Sequence, residues 1–160
     1  MSFRGAFSFP NPVNETAARI VAAGAAVMAW SIVMFDVRWL VVPLAYGFVA
    51  RVLAGPRMSP LGLFATRVAA PRLPARPVPG PPKRFAQGIG ATLSVSALVA
   101  LAAGHPGAGT LLVAAIAVAA TLEAAFALCL GCRIFALLMR ARLLPERVCE
   151  ACGDLGLQRT

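Results

Sequence analysis

The four cysteines of this chain form two Cys-x-x-Cys pairs. Cys129 and Cys132 sit in Cys-Leu-Gly-Cys, and Cys149 and Cys152 in Cys-Glu-Ala-Cys-Gly. Two thiols at this spacing can cycle between dithiol, disulfide and persulfide states, since a thiolate attacks sulfur and its neighbour resolves the product. On a helix the spacing also puts both side chains on roughly one face. The same residues are soft metal ligands. Sixteen residues separate the pairs, a separation compatible with a four-cysteine zinc site built from Cys129, Cys132, Cys149 and Cys152. A third reading takes cysteine as a small apolar filler at helix contacts, which a spacing repeated twice disfavours. Zinc is the only cofactor these residues suggest, and only on the second reading.

Position qualifies the redox reading. Cys129 and Cys132 are expected near the C-terminal end of a helix, where the dipole disfavours a thiolate, although Arg133 pushes the other way. The second pair is better placed, because Pro145 can open a helix whose first turns hold Cys149.

Two further groups of polar residues stand out. Glu123 falls deep in an apolar block, where an ionised acid is costly, so it is expected to face other helices. Tyr46, Ser94 and Ser96 lie at about its depth and would complete a polar site for a proton or small solute; the plainer reading is an interhelical hydrogen bond. Arg51, Lys83, Arg84 and Gln87, with Asn14 at the rim, share the depth of Cys129 and could form a pocket suited to an anion. Basic residues at that depth more often set topology and meet lipid phosphates. Glu15 and Arg19 are spaced to pair along one helix. His105, beside Pro106 and Gly107, reads as a turn residue. No nucleotide-binding glycine motif, Ser-His-Asp set or carboxylate pair is present, and the balance leans away from an enzyme.

The elements that carry these residues follow from composition. Hydrophobic residues make up 59% of the 160 and charged ones 13%, with a mean hydropathy of +0.79, and the apolar residues gather in blocks as long as a bilayer is thick. The fold class expected is an all-α integral membrane protein, a bundle of about four transmembrane helices with a cytoplasmic interfacial helix and a short C-terminal tail. The blocks place spans at residues 16–35, 39–53, 85–104 and 110–133, the last continuing as helix to 142. Residues 1–142 then form the membrane domain and 143–160 a tail with the second cysteine pair. In the basic loop 54–84, Ser59-Pro60 starts a short amphipathic helix carrying Leu61, Phe64 and Val68. Pro71 to Pro82 is too rich in proline for helix and is expected to be extended.

The net charge of +9 suggests nucleic acid, but the basic residues flank the apolar blocks and form no single soluble face, so none is expected as a partner. Of the 15 basic residues only Arg38 falls in a short hairpin loop; the others collect on the opposite side. The positive-inside rule then puts both termini in the cytoplasm of a multi-pass plasma-membrane protein, with the lipid bilayer as its first partner. A homodimer would be needed for transport, because four spans make a thin pore.

Several segments together carry a family resemblance: Phe-Pro-Asn-Pro-Val-Asn-Glu with Ala-Arg over residues 9–19, Ser-Pro-x-Gly at 59–62, Arg-Phe-Ala-Gln-Gly at 84–88, Cys-Leu-Gly-Cys at 129–132 and Val-Cys-Glu-Ala-Cys at 148–152. With these the chain resembles the bacterial membrane protein family catalogued as domain-of-unknown-function family 4395, over nearly its whole length. The resemblance brings no assigned activity. Members of that family accompany thioredoxin-like and sulfurtransferase proteins, and the resemblance therefore implies thiol or sulfur chemistry with such partners. The Asn-rich entry to the first span and the cysteine near the end of the last are also similar to a two-span membrane domain attached to some rhodanese proteins. The function expected is a membrane component of thiol or sulfur redox using both pairs. A zinc-braced scaffold and a solute transporter built round Glu123 are the alternatives.

Overall fold

The computed structural model describes residues 12–141. Helix α1, Glu15–Phe35, starts where the Asn14 side chain accepts the Thr16 N–H at 3.0 Å. It stops at Asp36, whose backbone is left-handed and whose carboxylate takes both Nε and Nη2 of Arg38, at 2.7 and 2.8 Å, across the turn. A short 3-10 turn leads into α2, Val41–Ala54, which ends at Gly55-Pro56. The Ser59 hydroxyl caps α3, Pro60–Phe64, by accepting the Gly62 N–H, as the Ser-Pro start requires. The chain then winds through a wide turn, Ala65–Ala69, and a 3-10 turn, Ala70–Arg72.

Beyond Arg72 the proline-rich segment is extended, and it is anchored rather than loose. Its β2, Pro77–Val78, pairs antiparallel with β1, Val13–Asn14, just before α1. The Glu15 N–H reaches Arg76 O at 2.8 Å, and the Thr16 hydroxyl reaches Pro74 O at 2.8 Å.

Helix α4, Gly80–Ala102, begins five residues before the position expected from hydropathy. Pro81 and Pro82 stand in its first turn, where a missing N–H leaves no bond unmade. Lys83 and Arg84 are consequently helical and held in place, not part of a loop. After Gly104, α5 runs from Pro106 to Phe126. The expected continuation to 142 is not found: residues 127–129 are unwound, and a separate helix α6, Leu130–Arg140, follows.

The molecule is an all-α bundle, and four helical stretches are long and apolar enough to cross a membrane: Glu15–Phe35, Arg38–Arg72, Gly80–Ala102 and Pro106–Phe126. This is the architecture of a multi-pass membrane protein. Helix α1 packs mainly on α5, α5 on α4 and α4 on α2, with lighter contact between α1 and α2 closing the bundle. The shared core is built from small residues, Ala25, Ala29, Ala97 and Ala117, interleaved with Ile32, Leu44, Val113 and Ile116. Small side chains let backbones approach closely, which is how helices associate where burial from water does not drive them. Trp30 adds a directional link, its Nε1–H donating to Thr121 Oγ1 at 3.0 Å. A second cluster seats the α3 region on α1 through Ala17, Val21, Ala65 and Ala70, with Leu61 packed against it. Val27, Val99, Leu111 and Phe126 remain exposed on the outside, as a lipid-facing surface would have them.

Helix α6 lies on α4 through Gly131 and Phe135, one turn apart and both buried. The Phe135 ring meets Phe85 with centroids 5.6 Å apart. Any Cβ at Gly131 would stand 2.6 Å from Ala86 Cα, a backbone atom that cannot turn aside. Gly131→Val is therefore expected to lift α6 from α4 and cost about 1–3 kcal/mol, as overpacking does. A thermal midpoint in detergent equal to that of the parent protein would contradict this packing.

Candidate dithiol site

The site begins with the way α5 ends. The Ala127 N–H bonds Glu123 O at 3.0 Å and the Leu128 N–H bonds Leu122 O at 3.2 Å, with Ala127 in a left-handed conformation (φ 57°). Two further terminal carbonyls go to Arg19: Nε and Nη2 donate to Ala124 O at 3.1 and 2.9 Å, and Nη2 also to Ala125 O at 3.2 Å. A guanidinium at a helix C-terminus satisfies orphan acceptors and matches the dipole. Arg19 thus spends its donors on α5, and among the described residues it forms no ion pair with Glu15.

Because α5 stops there, Cys129 is the N-cap residue of a new helix, with extended backbone (φ −84°, ψ 104°), and its carbonyl accepts the Arg133 N–H at 3.1 Å. Cys132 lies in the first turn of α6. The expected placement near a helix C-terminus is thereby overturned, and the dipole changes sign: the positive end of α6 now favours a thiolate at Cys129.

Cys129 is 8% exposed, Cys132 is half-buried, and neither is in a disulfide. The two thiols are neighbours, and their mutual interaction is the largest influence on both. It holds Cys129 below the usual thiol range and pushes Cys132 far above it. Burial raises both, and the nearby Lys83 ammonium lowers both. The start of α6 and the nearby ammonium thus favour Cys129 as the more acidic thiol of the pair.

Beside the pair, Lys83 Nζ donates to Glu123 Oε1 at 2.5 Å, with side chains only 9% and 13% exposed. Glu123 is therefore neutralised by an ion pair one turn from the end of α5. Of the residues expected to share a mid-bundle site with it, Tyr46 is exposed and donates its hydroxyl to Met58 O at 3.0 Å. Ser94 bonds Gly90 O within its own helix at 2.7 Å, and Ser96 is exposed. The structure does not gather these three round Glu123.

The cluster expected at the cytoplasmic face is brought together in part. Arg51, only 5% exposed, donates from Nε to Gln87 Oε1 at 2.8 Å and from Nη1 to Ser59 Oγ at 3.1 Å, and its guanidinium lies 4.7 Å from the centre of the Phe48 ring. Arg84 is exposed and reaches Val52 O at 3.1 Å, and Asn14 is used as a helix cap. The contact of Ser59 with Arg51 and the Lys83–Glu123 pairing went unread in the sequence. Opposite charges at matching depth in neighbouring spans were the available signal. Cys149 and Cys152, and with them the four-cysteine zinc set, lie outside the described residues.

Two hollows meet at Cys129. An outer cleft of about 380 Å³ is lined by Glu15, Lys83, Cys129, Cys132 and Arg133. An inner cavity of about 250 Å³ reaches Cys129 from within the bundle.

Fold and site together define a small all-α protein of four membrane-length helical stretches with a Cys-x-x-Cys at the start of the helix that follows them, α6. The chain belongs to the family described as domain of unknown function (DUF4395), whose model matches residues 13–140, from the β1 strand to the end of α6. The match includes Cys129 and Cys132 and stops short of Cys149. No curated protein and no solved structure matches the chain.

If Cys132 and the helix start hold Cys129 in its thiolate form, alkylation of Cys129 by iodoacetamide should keep its rate below the ordinary thiol pKa of about 8.5, with Cys132 reacting more slowly throughout. Peptide mass spectrometry across a pH series measures both. A Cys129 midpoint at or above the ordinary value would contradict the geometry.

Proposed function

We propose that the protein is a membrane component of thiol or sulfur redox chemistry, working through Cys129 and Cys132. The observation that carries this reading is the placement of Cys129 as N-cap of α6, with Cys132 in the first turn of that helix and Lys83 lining the same cleft. That arrangement separates the roles of the two thiols before any partner arrives.

The Cys129 thiolate attacks one sulfur of a partner's disulfide; a mixed disulfide forms, and the partner's other sulfur leaves as a thiolate that takes up a proton. Cys132 then gives up its proton and attacks the Cys129 sulfur. The Cys129–Cys132 bond forms as the mixed disulfide breaks, and the partner departs as a dithiol. Run backwards, the same steps reduce the pair. With a partner's persulfide the thiolate attacks the outer sulfur: a Cys129 persulfide forms as the partner's S–S bond breaks, and the partner leaves as a thiolate that takes up a proton. This suits thioredoxin-like and sulfurtransferase proteins as the partner classes. The outer cleft admits such a group between Lys83 and Arg133. In this reading Cys149 and Cys152 are a second dithiol that relays with the first.

The pair would face the cytoplasm. Arg19, Arg51, Lys83 and Arg133 all stand at its end of the bundle, while Arg38 marks the other, and basic residues are retained on the cytoplasmic side.

The test is the state of the thiols in growing cells: acid quench, alkylation under denaturing conditions, and the mass of the intact protein. A disulfide or persulfide that shifts with sulfur supply or thioredoxin is the expected result. Four free thiols under every condition would overturn the reading, and zinc bound to the purified protein would then favour the scaffold.

A further inference from the structure

The inner cavity has a composition unlike that of the outer cleft. Its walls are apolar side chains from α1, α2, α4 and α5, among them Val21, Phe48, Leu93 and Ile116. Its polar groups are few: Arg51, Gln87 and Glu123 line it together with Cys129. The lining residues that are exposed, Ala115, Leu130 and Ile134, are all apolar. Ala115 belongs to α5 and Leu130 and Ile134 to α6, so the mouth opens between these two helices over apolar side chains, a surface that suits lipid.

Such a space fits a molecule with a compact polar head and an apolar body. The head would lie by Arg51, whose Nε and Nη1 are held by Gln87 and Ser59. Among the described residues Nη2 makes no hydrogen bond, so a charged donor that is 5% exposed keeps N–H groups to offer at the cavity it lines. A carbonyl oxygen on the head would give this guanidinium one more acceptor. The remaining constraint is electronic. A dithiol that has reduced a partner is left as a disulfide, and one that has oxidised a partner is left reduced. Either way the cycle stops until a second two-electron carrier resets the pair. Cys129 is the residue that touches both hollows.

We propose that the inner cavity binds a membrane quinone, head toward Arg51 and Cys129, and that this quinone oxidises the Cys129–Cys132 dithiol. The inference rests on the dithiol reading of the preceding section and adds to it the electron acceptor. In the step, two S–H bonds are lost and one S–S bond forms. The two electrons and two protons end on the quinone oxygens, and a hydroquinone leaves through the lipid-side mouth. Protein substrate and quinone thus reach the same sulfur from opposite sides, and neither has to leave for the other to bind.

The experiment uses the full chain, reduced in detergent under anaerobic conditions, with decylubiquinone as probe. Thiols are counted by alkylation and mass, and hydroquinone by its absorbance. Oxidised glutathione, given separately to the same protein, tests whether the pair cycles at all. The expected result is loss of one thiol pair per hydroquinone formed, abolished in Cys129→Ala. Ala119→Phe, which fills the cavity, should raise the quinone concentration for half-maximal rate roughly tenfold or more. Should that variant fold poorly, Ala115→Phe at the exposed mouth serves the same purpose. If glutathione disulfide oxidises Cys129 and Cys132 but the quinone does not, or if neither phenylalanine alters the quinone dependence, the cavity inference falls and the dithiol reading stands. If neither oxidant acts on the pair, both fall.

Discussion

Arg19 of the first span grips the last carbonyls of α5, and the chemistry available at the other end of the chain depends on that grip. A helix of small and apolar residues in a low-dielectric surrounding ends only where its four orphan carbonyls find donors. Arg19 supplies three N–H···O contacts across more than a hundred residues of sequence, and Ala127 supplies the left-handed turn. Were α5 to continue, Cys129 and Cys132 would sit on the negative end of a long helix. Ending it lets Cys129 open α6 instead, and the dipole that opposed a thiolate now supports it by about 0.3–1 kcal/mol. That increment is modest, and it requires the break.

The second constraint is charge held inside an apolar bundle. Lys83 and Glu123 are each almost fully enclosed, and either one alone would be costly there. Pairing resolves the charge but leaves direction behind. The ammonium lies near both thiols and favours their ionised forms, while the carboxylate opposes it. Arg51 stands one helix away, clamped by Gln87 and Ser59. These three charged groups gather at one end of the bundle and leave the rest of the interior apolar. The early start of α4 at Gly80 makes this possible, since it carries Lys83 on a helix whose packing against α5 fixes the ammonium against Glu123.

The sequence made the gross architecture legible because apolar block length is an averaged signal that no single contact overturns. The Ser59 cap was legible for the opposite reason, as a local motif whose partner lies three residues away. The break at 127–129 was not. Phe126-Ala127-Leu128 holds neither glycine nor proline, and the residue that ends the helix there lies in another span. Glu15 and Arg19 read as a pair by spacing, whereas the tertiary fold offered Arg19 better acceptors. Glu123 was placed too deep because the span was drawn seven residues past its end at Phe126. The polar partners assigned to it followed that error, and Lys83 was missed because Pro81 and Pro82 were taken to exclude helix. The pairing of β1 with β2 rests on two residues from each strand, too few for any alternation to register.

Unequal thiols are the claim on which the rest turns, and trapping tests it most directly. Each of Cys132→Ser and Cys129→Ser is treated with a mixed-disulfide probe such as dithionitrobenzoate near neutral pH. Adducts are then located by peptide mass. With Cys132 removed, Cys129 should hold a long-lived mixed disulfide that nothing resolves. With Cys129 removed, Cys132 should remain largely unlabelled. Equal labelling of the two variants, or preference for Cys132, would contradict the assignment of Cys129 as nucleophile and the helix start that supports it.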